Sequence, residues 1–154
     1  MTVTRLTPPG VYHPPGAFTP VVTVEGVRLV QLSGQVAWDT EGQPVGLGDY
    51  AAQAEQIARN LDAALASVGA TRDDIIQETV FVVDYTPELL PAIFGPLRAG
   101  TVQTPASTLV GVSALFSPDY LVEVQVVAAV DAVGPVGAAS ADAAPADAAP
   151  ADAE

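Results

Sequence analysis

The sequence has no cysteine and no lysine, and only one histidine. The first absence excludes disulfides, thiolate nucleophiles and cysteine-based metal sites, and the second excludes Schiff-base catalysis by a lysine. A lone histidine leaves no cluster for zinc and at most one partner for a serine relay. Positive charge is scarce too: 5 arginines stand against 18 carboxylic acids, for a formal charge of -13. Phosphate binding needs clustered Lys and Arg, so nucleic acid and anionic membrane surfaces are poor partners. No apolar run is long and uncharged enough to span a bilayer, and no basic stretch followed by an apolar one marks a signal peptide. The expected location is the cytoplasm. Carboxylates, hydroxyls, backbone amides and water remain for any chemistry.

The 154 residues fit one domain with room for a proper core. Residues 1–20, rich in Pro, Gly and Thr, read as an extended arm. Within it His13 is held extended ahead of Pro14, and Phe18, between Gly16 and Pro20, suits an apolar plug. Residues 21–25 and 27–33 alternate β-branched side chains on either side of Gly26 and predict a hairpin. Ser33-Gly34-Gln35 then interrupts the strand, where glycine indicates a bulge or a close backbone approach. Trp38 reads as packing before a turn at Asp39 to Gly42.

Residues 49–68 form the best helix, with Asp49 as its cap and Gly69 to close it. Ile57, Leu61, Ala64, Leu65 and Val68 make its apolar stripe, while Gln53, Gln56, Arg59, Asn60 and Ser67 fall mostly elsewhere. Residues 75–84 predict a strand centred on Val80 to Val83. Thr86-Pro87-Glu88 starts a second helix, which Pro91 and Pro96 should shorten or kink before Gly100. Strands follow at 106–115 and 120–130. Past Asp131 the motif Ala-Asp-Ala-Ala-Pro recurs without an apolar face, so 132–154 is expected to be a disordered tail.

The last strand decides the architecture. Alternation places Val122, Val124, Val126, Ala128 and Val130 on one face, which reads as core. The other face carries Leu121, Glu123, Gln125, Val127 and Ala129, setting a carboxylate inside an apolar stripe. Such a group is either paired at an interface or a general acid/base lining a cleft. The element order predicts an α+β layer, a mixed sheet with two helices packed on one face. An identical subunit is the economical cover for the face left open.

Five segments, in order, resemble the reactive-intermediate deaminase (Rid, or YjgF) family. They are Leu32-Ser-Gly-Gln35, the helix from Ala51 to Ala70, Thr79-Val-Phe-Val-Val-Asp84, Pro105-Ala106 and Leu121-Val-Glu-Val124. The similarity runs over about residues 15–131. It implies a chorismate-mutase-like fold and a homotrimer with clefts between subunits. It also implies cofactor-independent hydrolysis of a small-molecule imine or enamine, without metal. The family's water-positioning glutamate matches Glu123, and the serine of its Ser-Gly-Gln motif matches Ser33, beside Gly34. In the family an arginine after Pro-Ala holds the substrate carboxylate; here that place is Ser107, with Leu109 following on the same strand. The tyrosine of the family's arm matches Phe18, which lacks the hydroxyl. The resemblance thus surrounds a substrate with Phe18, Ser33, Gly34, Ser107 and Leu109, and makes Glu123 the catalytic group. A guanidinium–carboxylate contact contributes roughly 1.5–3 kcal/mol, so its loss points away from the family's small 2-imino acids. The alternative is a non-catalytic trimer of the same fold that binds a ligand or a partner.

Overall fold

The computed structural model describes residues 1–132 apart from His13 and Pro15. Residues 133–154 of the tail expected over 132–154, and His13, lie outside the described residues. The chain forms β1 (Thr2–Leu6), β2 (Val21–Glu25), β3 (Val27–Gln35), α1 (Tyr50–Ala66), β4 (Ile75–Val83), α2 (Leu90–Arg98), β5 (Ala106–Val112) and β6 (Val122–Asp131). The main sheet runs β3-β6-β4-β5, and β1 pairs with β2 in a small second sheet. β4 and β5 are parallel, joined through α2, and the other pairs are antiparallel.

Local chemistry sets the helices. The Asp49 carboxylate accepts from the backbone N–H groups of Ala51 and Ala52 at 2.9 and 3.1 Å, a cap that contributes about 1 kcal/mol. The ridge Ile57, Leu61 and Leu65, spaced by four, is buried against the sheet, as are Ile93 and Leu97 of α2. They meet Val80 and Val82 of β4 and Val122, Val124, Val126 and Ala128 of β6, the face that alternation selects as core. Each such side chain contributes about 1.5–3 kcal/mol on full burial. Arg72 clamps the two helices together: it pairs with Asp62 at 2.7 Å and donates to the carbonyls of Pro96, Leu97 and Ala99. Those carbonyls close the C-terminal end of α2, where a cation is favoured. Among the described residues no helix is long and apolar enough to cross a membrane.

Several sequence expectations are corrected. The hairpin about Gly26 does not form: β2 pairs with β1, and β3 pairs with β6. Gly26, at φ +62°, turns a corner between the two sheets instead. A one-residue link is shorter than the two-residue loops that close ordinary hairpins. The arm contains a strand, β1, whose Arg5 donates to the carbonyls of Thr104, Asp73 and Ile75. Gln53 is wholly buried rather than off the apolar stripe. Its amide donates to the Gly46 and Asp119 carbonyls and accepts from the Leu121 N–H, so it holds two loops on α1. Pro91 stands in the first turn of α2, where its missing N–H costs nothing, and β5 ends at Val112 rather than near residue 115.

Candidate functional site

The six residues picked from the sequence separate into two groups, on opposite faces of the main sheet. Ser107 and Leu109 sit opposite Glu78 and Val80 in the β4–β5 register, and so point to the helix-covered side. They form one wall of a cavity of about 350 Å³. The facing wall is a single ridge of α2, Leu90, Phe94 and Arg98, spaced by four. Phe18, Ala17 and Gly16 of the arm close the mouth. The arm is held there because Thr19 donates to the Thr104 carbonyl at 2.6 Å through its hydroxyl and to the Pro105 carbonyl at 2.8 Å through its N–H. Phe18 is half-buried and lines the cavity.

At the base of this cavity lies a polar cluster that sequence reasoning missed. Glu78, 3% exposed, receives both terminal nitrogens of Arg98, one of them at 3.0 Å, and the Ser107 hydroxyl at 2.6 Å. The guanidinium carbon lies 5.0 Å from the centre of the Phe94 ring, within cation–π range. One of these terminal nitrogens, Nη2, also faces the arm, with the Ala17 carbonyl at 3.5 Å. A signal was available: Glu78 precedes Val80 and Val82 by steps of two, which puts its carboxylate on their buried face.

Ser33, Gly34 and Glu123 occupy the other side. Glu123 lies between the core residues Val122 and Val124, pairs with Phe81 across β4, and is half-buried. A bulge between Leu32 and Gln35 interrupts the β3–β6 ladder at Gly34, as the Ser-Gly-Gln break predicts. Its purpose is visible in the space above the glycine. A Cβ on Gly34 would overlap Glu123 Oε1 and lie 2.8 Å from its Cδ. The carboxylate therefore rests on bare backbone, and Ser33 beside it is exposed. Around it the face carries Gln31, Gln77, Thr79 and Gln125, with Leu29 half exposed. Among the described residues no helix covers this side, in keeping with the open second face expected of the last strand.

The family described as "Endoribonuclease L-PSP" matches residues 12–130, and the chain belongs to it. A curated relative, protein DfrA of Myxococcus xanthus, is 33% identical over 101 residues, covering 65% of this chain and 76% of its own. YyfB of Yersinia pestis, described as a protein of unknown function of the conserved Rid family, is 32% identical and superposes with a TM-score of 0.78 over 84% of this chain and 100% of its own. YyfA from the same organism, described in the same way, is 27% identical with a TM-score of 0.58 over 84% and 100%. The chain therefore has the Rid-type, chorismate-mutase-like α+β fold, with two helices on one face of a mixed sheet.

Proposed function

We propose that this chain is a Rid-type hydrolase of an imine or enamine other than the small 2-imino acids, working without cofactor as a homotrimer. Each cleft would join the Phe18–Ser107–Leu109 cavity of one copy to Ser33, Gly34 and Glu123 of the next. The observation that carries the reading is the isolation of Glu123. It is a half-buried carboxylate on an uncovered sheet face, resting on a glycine that leaves room for it and for nothing else. A purely structural interface gains nothing from that arrangement.

In the reaction Glu123 takes a proton from water as the water oxygen bonds to the imine carbon, and returns it to the nitrogen to give the carbinolamine. A second proton then passes from the carbinolamine hydroxyl through Glu123 to the nitrogen, the C–N bond breaks as the C=O bond forms, and carbonyl compound and ammonia leave. Ser33 and backbone amides hold the polar atoms. Although the family is named for an endoribonuclease, RNA is a poor substrate for a chain of charge -13. Four of the five arginines are occupied as well, since Arg5 and Arg72 bind backbone carbonyls, Arg59 binds the Gln56 side chain and Arg98 binds Glu78.

One observation favours the ligand-binding alternative: the polar side chains of the cavity are spent on each other, which leaves its walls apolar. The two readings part in a single assay. Imines are generated in situ by an amine or amino-acid oxidase, and ammonia release is followed with and without the protein. The hydrolase reading expects acceleration that falls at least ~100-fold in Glu123→Gln. Acceleration unchanged in that variant, or absent across aliphatic, aryl and cyclic imines, refutes it. A monomer mass by light scattering at micromolar concentration refutes the shared cleft.

A further inference from the structure

We infer that Glu78 determines specificity: it cancels the one positive charge of the cavity and restricts the site to uncharged, largely apolar groups. The inference rests on the reading that this cavity takes the substrate, and it names the substrate's class. Its walls are Phe18, Phe94, Leu90 and Leu109, and its volume of about 350 Å³ suits a ring or a branched chain. Arg98 and Ser107 are the polar side chains among the lining residues, and both are turned onto Glu78. The guanidinium is engaged by both carboxylate oxygens, in the two-pronged geometry that makes such pairs strong. A ligand carboxylate that took the terminal nitrogens of Arg98 would leave Glu78, 3% exposed, with the Ser107 hydroxyl as its remaining donor. One that took the unpartnered Nε instead would share the guanidinium with Glu78 and lie near that carboxylate's charge. A neutral group makes no such demand and gains apolar contact on every side. The substrate portion seated here is therefore an aryl or branched alkyl group carrying no carboxylate beside the C=N carbon.

The test uses two compounds of one shape, phenylacetamide and phenylacetate, with binding measured by titration calorimetry or ligand-observed NMR. The full-length protein should bind the amide at least tenfold more tightly. Glu78→Gln keeps the side-chain shape and frees Arg98, so phenylacetate should gain tenfold or more while the amide changes little. The double variant Glu78→Gln/Arg98→Gln should lose that gain. Equal affinities in the wild type, preference for the anion, or binding of neither compound overturns the inference. So does an anion gain that persists without Arg98. If Glu78→Gln fails to fold, the wild-type pair and the double variant still decide. Binding is read without turnover, so a protein that shows this pattern yet hydrolyses no imine refutes the reaction proposed above and leaves the specificity assignment standing.

Discussion

Gly34→Ala tests the role of Glu123 without touching its chemistry. The added methyl carbon would lie 2.8 Å from Glu123 Cδ and 3.1 Å from Cγ, and would overlap Oε1. Carbon atoms pack at about 3.5–4.0 Å, so the carboxylate must swing away by about 1 Å or more. The clash is with the far end of a flexible side chain, and the backbone at Gly34 is not in the left-handed region. The fold should therefore tolerate the change. Restricting the unfolded chain stabilises by about 0.4–1 kcal/mol, and a displaced rotamer costs about 0.5–1.5 kcal/mol, so the melting temperature should hardly move. Catalysis should move a great deal, because misplacing a reacting group by about 1 Å can cost on the order of 100-fold. The assay is ammonia release from an imine that the wild type accelerates, beside thermal unfolding of both proteins. Full activity in a folded Gly34→Ala protein would mean that the position of Glu123 does not matter to the reaction, and the general-base reading would fall. An unfolded variant would show that the carboxylate cannot yield, contrary to the geometry.

Arg98→Leu should cost about 3–5 kcal/mol in urea unfolding, because it strands Glu78 in the interior, and adding Glu78→Leu should recover most of that. A loss below about 1 kcal/mol would show that the pair is solvated in solution. Tyr50 donates to the Val83 carbonyl at 2.9 Å, and its phenol is pushed above the ordinary tyrosine value by burial first and by the charge of Asp84 second. A raised folded-state value gives stability that is full below the unfolded pKa of about 10 and lost as pH climbs through the folded one. Tyr50→Phe should therefore cost about 0.5–1.5 kcal/mol at neutral pH and show a shallower alkaline decline; an unchanged decline would assign it to other groups.

The elements of this fold were legible where a pattern repeats locally. The alternation on β6 gave the core face, and Asp49 and Gly69 gave the ends of α1. Pairing was not legible, because the partner of β3 lies about a hundred positions away and Gly26 looks like a turn whichever strands it joins. Gln53 could have been found. It stands four before Ile57 on the ridge that continues through Leu61 and Leu65, and its polarity hid its position. The site was half legible. Phe18, Ser107 and Leu109 do share a cavity, and Ser33, Gly34 and Glu123 do gather at the bulge. Their separation by the sheet was implicit in the two-residue period, since Glu123 alternates with core valines while Ser107 shares the side of Val80. The Arg98–Glu78 pair was hidden because it joins a strand to a helix 20 residues later.

Within one copy the sheet separates the cavity from the carboxylate on its other face. The cavity is built from α2, β5 and the arm, while the carboxylate is built from β3 and β6. A change of Leu90, Phe94 or Leu109 reshapes the entrance and leaves the backbone under Glu123 as it was. Within a copy the two share no partner, and such sites vary additively in their effect on the fold. A lineage carrying this sheet can therefore try new guests one substitution at a time, while the group that would act on them stays in place.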